Sequence, residues 1–249
     1  MMIKYAKLTI RLDTDSIQSE TVRIKTNTKW IAHFNKVYYE GGWDVLPLRS
    51  PGGRDDRIIP DLMNEDEYKD TLLMELFPSV QKLVSGLQCP VMSVRLLNLK
   101  PGAVIKPHRD MELCFEKGEA RIHFPIFTNS QVRFFVDDDL VEMKEGESWY
   151  INANRMHSVS NLGQADRIHL VIDCKVNDWL TDIFERSEKV LAKEEDSNYG
   201  SEIIPVREDP DYELKVISEL RLQNTETSNR LADELLNKIK SSKQAKDNT

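Results

Sequence analysis

The residues best suited to chemistry in this 249-residue chain are His108 and Asp110, in the run Pro107-His108-Arg109-Asp110, and His157. On a β-strand, positions i and i+2 point to one face, so His108 and Asp110 would present an imidazole and a carboxylate side by side. His157 opens a later β-type run. Two histidines and one carboxylate are the ligand set of a non-haem iron(II) facial triad. Three such ligands cover one face of an octahedron and leave three positions open for O2 and a cosubstrate. A fourth strong protein ligand would block them. The same set can also hold Zn2+. Because H-x-D is a common pattern, its spacing alone leaves both the metal site and the metal's identity open.

A second pair of motifs bears on what such a site would bind. Arg121-Ile122-His123-Phe124 and Arg167-Ile168-His169-Leu170 are near copies. On strands, each sends Arg and His to one face and apolar residues to the other. Turned inward, the cationic faces would line a cavity built for an anion with a carboxylate to pair. Turned outward, they would be ordinary solvated surface.

The elements that must position these residues are mostly strands. Val91–Leu99, Ala120–Phe127, Val132–Val136, Leu140–Met143, Ser148–Asn152, His157–Ser160 and Arg167–Cys174 are short β-type runs. Turns such as Lys100-Pro101-Gly102 and Glu145-Gly146-Glu147 separate them. Many short strands at regular spacing predict a sandwich, jelly roll or barrel, and the lack of intervening helical periodicity argues against parallel βαβ units. Three helices are expected. The first is a short one at Lys29–Val37. The second spans Asn64–Gly86, capped by Asn64 and Glu67 and ended or kinked midway by Pro78. The third starts at Asn177, with Trp179, Leu180, Ile183 and Phe184 on one side. The segment from Trp43 to Arg54 reads as a loop, and Met111–Glu119 as a lid in which Met111 and Cys114 simply pack.

Composition changes near residue 190. The segment 190–249 has no His, Cys, Phe or Trp, and all five histidines and four tryptophans precede it. This predicts a body at 1–189 and a helical extension at 190–249. Asp209-Pro210-Asp211 would start a helix. Leu214, Ile217 and Leu220 would form one apolar stripe, and Leu231, Leu235 and Ile239 another. These stripes would dock on the body or, alternatively, make a homodimer contact. With 40% hydrophobic and 31% charged residues, the chain can build an ordinary globular core. Its net charge of −8 argues against nucleic-acid binding. Three cysteines without paired spacing fit a reducing compartment. The N-terminus lacks the apolar core of a signal peptide and no run is long enough to cross a bilayer, so a cytoplasmic, non-membrane protein is expected.

Residues 91–178 resemble the aspartyl/asparaginyl β-hydroxylase family of iron(II)- and 2-oxoglutarate-dependent oxygenases, and are similar also to the bacterial proline cis-4-hydroxylases. The resemblance is carried by Leu99-Lys100-Pro101-Gly102, Pro107-His108-Arg109-Asp110, Arg121 to Ile126, Gly146 to Asn152, His157 to Asn161 and Arg167 to Asp173, in that order. It implies a mainly β fold with flanking helices (α+β), a double-stranded β-helix or cupin-like jelly roll with a helical C-terminal extension. It implies that His108, Asp110 and His157 hold Fe(2+). Arg167, ten residues after His157, would clamp the distal carboxylate of 2-oxoglutarate. Arg121, His123 and His169 would line the cosubstrate pocket. Asp110 stands where vertebrate-type members lack a carboxylate ligand, which favours the bacterial hydroxylase type. The implied reaction uses O2 to hydroxylate an amino acid or amino-acid residue of the Asp/Asn/Pro type, with succinate and CO2 as coproducts. Arg49 and Trp43 are the candidate substrate contacts, and Arg109, pointing away from the ligands, is expected to be structural. A non-catalytic jelly-roll binding module and a zinc-dependent hydrolase are the alternatives, though Arg167 has no evident task in the latter.

Overall fold

Alternating polar and apolar residues build strands that can bury both faces only if something covers each of them. A computed structural model describes residues 2–25, 28–33, 36–58, 67–110 and 113–192, and further on Ile217, Ala232, Asp233 and Leu236. By its contacts the chain divides into two units, Met1–Ala192 and Lys193–Thr249. The four described residues of the second unit are helical. The other expected tail positions, and Met111 of the expected lid, lie outside the described residues. No described helix is long and apolar enough to cross a membrane.

The first unit begins with β1 (Ile3–Leu8), α1 (Thr14–Ile24), β2 (Ile31–Ala32), β3 (Tyr39–Glu40), β4 (Trp43–Pro51) and β5 (Tyr68–Asp70). It continues with α2 (Pro78–Gly86), β6 (Val91–Leu99), β7 (Val104–His108), β8 (Glu119–Phe127), β9 (Val132–Val136) and β10 (Asp139–Leu140). It ends with β11 (Ser148–Ile151), β12 (His157–Asn161), β13 (Arg167–Lys175), α3 (Asp178–Glu185) and β14 (Glu188–Leu191). A large sheet runs β14-β1-β11-β8-β13-β6-β4-β2, with β5 also on β4; a small sheet runs β10-β9-β12-β7-β3. From β6 to β13 the chain passes back and forth between the sheets: β6, β8, β11 and β13 lie in the large one and β7, the β9-β10 hairpin and β12 in the small one. This is the jelly roll that the spacing and the resemblance predict.

The outer face of the large sheet is apolar. Leu46, Leu48, Leu96, Ile122, Phe124, Leu170 and Ile172 bury there with Ile17 of α1, Val80 of α2, and Leu180 and Phe184 of α3. Its inner face alternates with that set and carries Arg95, His123, Arg167, His169 and Asp173, all buried. A second apolar cluster includes Trp43 and Leu99 of the large sheet and Ile105, Phe134, Val136 and Val159 of the small one. Between β3 and β4 the chain passes from the small sheet to the large through Gly41-Gly42. Gly41 has φ +80, and a Cβ there would come within 2.9 Å of the Ala103 backbone, so the crossing needs glycine.

Several elements differ from the expectation. The described residues of Lys29–Val37 form no α-helix; they hold β2 and the start of a short 3-10 turn at Lys36–Tyr38. The described part of the expected Asn64–Gly86 helix is β5, a 3-10 turn at Leu72–Leu76 and α2. Pro78 starts α2, where a missing N–H costs nothing, instead of ending an earlier helix. Asn64 lies outside the described residues. The segment expected as a loop from Trp43 is β4, whose Pro47 falls in the gap between the register with β2, ending at Val45, and that with β5, starting at Arg49. The helix from Asn177 forms as expected, with the Asn177 side chain accepting from the Leu180 N–H at 3.1 Å. β14 carries Val190 and Leu191 into pairing with β1.

Phe184 stacks on Phe115 at 4.3 Å and meets Tyr150 edge-on at 4.8 Å. Phe184→Ala should destabilise the body by about 3–5 kcal/mol in urea unfolding. A loss below about 1 kcal/mol would mean that α3 does not close this face of the core.

Candidate active site

The register of the small sheet sets the centre of the site. β7 and β12 are antiparallel neighbours, and His108 and His157 are directly paired, with ring centroids 4.2 Å apart. Asp110 follows the end of β7 and is fixed by its N–H donating to the Ala153 carbonyl at 2.8 Å. One ligand atom from each of His108, Asp110 and His157 lies within 4.8 Å of the others. The backbone also sets the tautomers. His108 Nδ1 is 2.8 Å from the Lys106 carbonyl and His157 Nδ1 is 3.0 Å from the Arg155 carbonyl. A carbonyl only accepts, so both Nδ1 atoms carry the proton and both Nε2 lone pairs are free. Oriented imidazoles of this kind are what metal-ligating histidines require. The donors therefore suit a divalent cation.

Electrostatics agree with that use. Burial, and then the neighbouring His108, push His157 down to about 4, so it stays neutral. Burial alone would raise Asp110. The Arg121 guanidinium and the two imidazoles outweigh it and hold the carboxylate at about 2. Asp110 Oδ1 lies 3.9 Å from His108 Nε2, while Arg121 Nη1 donates to Oδ2.

Opposite the triad the large sheet presents a cation without a counter-ion. Arg167 is 2% exposed and among the largest fully buried side chains. Among the described residues, its one hydrogen bond goes from Nη2 to His169 Nδ1 at 2.9 Å, and its Nε has no partner. A guanidinium only donates, so His169 Nδ1 accepts and its ring proton sits on Nε2, which is also buried without a partner. Two orphan donors and an unpaired charge at one place are expensive unless an anion completes them. Burial with no compensating carboxylate pulls Arg167 down to about 9. Burial, and then Arg167, push His123 and His169 well below the usual imidazole range. Phe134 spans the two halves. The Arg167 guanidinium lies 5.8 Å from its ring, and the His157 imidazole stacks on it at 6.4 Å.

The other expected residues are distributed as follows. His123 is buried, with Nδ1 3.4 Å from His169 Nδ1. Arg121, expected to meet an organic carboxylate, is taken by Asp110 and by Asp173, at 2.7 Å (Nε–Oδ1) and 3.0 Å (Nη2–Oδ2). Arg49 donates to Asp70 at 2.7 Å and to the Val91 carbonyl at 3.3 Å. It lines a small recess with Ser50, Arg57, Ile58, Tyr68, Ser93 and Arg95. Trp43 stacks on His33 at 3.6 Å within the inter-sheet core, and its indole N–H is buried without a partner. Sequence reasoning missed Arg95, Asp173, Phe134 and His33. Arg95 Nη2 donates to Asp173 at 2.5 Å, and its buried Nε has no partner. The signal available was alternation: Arg95 and Asp173 continue the polar faces of β6 and β13.

Comparison with known proteins places this geometry in context. The profile of the Aspartyl/Asparaginyl beta-hydroxylase family matches residues 11–176. L-proline cis-4-hydroxylase of Rhizobium meliloti (strain 1021) is 28% identical over 152 residues, covering 59% of this chain and 54% of that protein. L-proline cis-3-hydroxylase 1 of Streptomyces sp is 31% identical over 142 residues, covering 55% and 48%. The chain thus spans about half the length of the curated relatives it matches. Among solved structures, a Pseudomonas putida prolyl-4-hydroxylase aligns with TM-score 0.43 at 14% identity, over 70% of this chain and 94% of that one.

Arg167→Met replaces an uncompensated buried cation with an apolar chain of similar reach. Without ligand it should leave urea stability at neutral pH unchanged or raised. A loss above about 2 kcal/mol would show that the guanidinium is already satisfied within the protein.

Proposed function

The chain belongs to the aspartyl/asparaginyl β-hydroxylase family, and from that membership we propose that it is an iron(II)- and 2-oxoglutarate-dependent dioxygenase that hydroxylates a C–H bond of an amino acid or amino-acid residue. The observation that carries this reading is the facing pair of half-sites. Three converging metal donors stand on one side, and a buried guanidinium without a counter-ion stands on the other. A ligand with a chelating end and a carboxylate end satisfies both at once. A plain metal hydrolase needs only the first.

The roles follow from chemistry and position. His108, Asp110 and His157 hold Fe(II). Arg167 takes the distal carboxylate of 2-oxoglutarate in a charge-assisted bond, with the His169 Nε2–H as a second donor. His123 supports His169 through its Nδ1. Phe134 covers one side of the pocket and keeps water from the two charges. Bound iron(II), with 2-oxoglutarate and O2, supplies an oxidant able to replace an unactivated C–H by C–OH, with succinate and CO2 as coproducts. The protein's part is orientation and dryness: the Nδ1-to-carbonyl bonds hold each imidazole in its ligating tautomer. The recess at Arg49 and Arg95 is the substrate side, where the unpartnered Arg95 Nε offers a donor to an amino-acid carboxylate. Arg49 shapes that wall while neutralised by Asp70. Trp43 packs in the inter-sheet core with Leu99 and Ile105, away from that recess. The named relatives act on L-proline, and a small amino acid is therefore the substrate class to test first.

The test is succinate released from 2-oxoglutarate with Fe(II) and O2, across a panel of free amino acids and short peptides, with mass spectrometry for the hydroxylated product. His108→Ala and Asp110→Ala should abolish turnover; full retention in either would refute the reading. Arg167→Met should raise the 2-oxoglutarate requirement by about 100-fold, while Co(II) binding persists. A pH dependence follows as well. The Arg167 cation is present below about 9 and lost above it, so kcat/KM for 2-oxoglutarate should fall as pH rises through that value. An unchanged value up to pH 10.5 would mean that the Arg167 guanidinium keeps its charge throughout that range, as arginine ordinarily does.

A further inference from the structure

The carboxylate of Asp110 is held from behind by a built arrangement on the large sheet. Asp173 on β13 and Arg121 on β8 are direct cross-strand partners. Arg121 grips Asp173 with two nitrogens, at 2.7 and 3.0 Å, and extends Nη1 to Asp110 Oδ2. Asp173 is itself fixed from β6, by the Ser93 hydroxyl at 2.9 Å and by Arg95 Nη2 at 2.5 Å. Asp173 is 3% exposed and Arg95 8%. The two arginines and two aspartates balance in charge, so Arg95, Arg121 and Asp173 can stay ionised in the interior while the Asp110 side chain remains partly exposed. Asp110 Oδ1, by contrast, faces the histidines, 3.9 Å from His108 Nε2.

Resting on the metal reading above, we propose that Asp173 is a positioning residue. Acting through Arg121, it reserves Asp110 Oδ2 and presents only Oδ1 to the metal. The chemistry gives the reason. A carboxylate free to turn can bind through both oxygens and take a position that a cosubstrate or O2 needs. A rigid guanidinium fork prevents that turn, because its planar donors hold Asp173 bidentately while the third arm reaches Asp110. Asp173 itself touches no metal. It acts by keeping Arg121 in that one orientation.

Anaerobic Co(II) titration of the intact chain tests this, with Asp173→Asn and Arg121→Gln as variants and circular dichroism as the folding control. Each should weaken Co(II) affinity about ten-fold or more, the loss seen when the outer partner of a ligating carboxylate is removed. Arg121→Lys should recover part of it. The decisive comparison uses Asp110→Ala. In that background Asp173→Asn should change Co(II) affinity less than about three-fold, because its effect passes through the missing carboxylate. If the ten-fold loss recurs in full there, or if folded Asp173→Asn binds like the unaltered protein, the proposal is overturned. Should Asp173→Asn not fold, Arg121→Gln alone and in the Asp110→Ala background carries the same two outcomes. Failure of the metal reading looks different: the unaltered protein would not bind Co(II), or His108→Ala would not weaken it.

Discussion

A guanidinium buried to 2% exposure with no carboxylate beside it is the constraint from which the rest of this molecule can be understood. Such a group opposes folding, and the fold tolerates it only because both faces of the large sheet are used. The outer face buries Leu96, Ile122, Phe124, Leu170 and Ile172 against three helices, giving the sheet enough apolar contact to carry a polar inner face. Strand alternation then delivers Arg95, Arg121, His123, Arg167, His169 and Asp173 to one interior. Some of these charges compensate one another. Arg95, Arg121, Asp110 and Asp173 form a closed network, whereas Arg167 is left for something else.

The small sheet solves a different problem. Imidazoles must stay neutral and correctly turned to donate lone pairs. Direct pairing of His108 with His157 brings the rings together, carbonyls two residues upstream fix their protons, and burial keeps His157 from charging. Cations are thereby segregated on one sheet and metal donors on the other. Phe134 is the layer between them, close enough to touch both and unable to neutralise either.

Most of the strand framework from Val91 to Lys175 was legible because it is made of short β-type runs whose turns carry Gly, Pro and Asn, whereas β7, with Lys106 and Pro107 inside it, was not among the expected strands. The triad was legible as residue types, and the family resemblance ordered it. The rest failed for identifiable reasons. In α1 the buried positions Ile17, Glu20, Thr21 and Ile24 have helical spacing, but two are polar: Glu20 accepts from the Ser79 N–H at the start of α2, and Thr21 bonds back to the Ile17 carbonyl. A hydrophobicity pattern cannot register them. β4 contains two prolines and is buried along most of its length, so it lacks both the alternation and the propensity of a strand. The partners of Arg121 and Arg49 were beyond reach for another reason: pairing depends on Asp173 and Asp70, which lie 52 and 21 residues away and meet them only through sheet register.

The back-and-forth path of the chain has a mechanical consequence. From β6 to β13 the two sheets are joined covalently only through the connections between successive strands, while their centres are held by side-chain packing. A molecule gripped by the small sheet at one end and by Arg167 at the other becomes a tie-rod through the middle of the roll. A ligand bound to both sheets at once would stabilise the folded roll by mass action, since the unfolded chain cannot hold both of its ends.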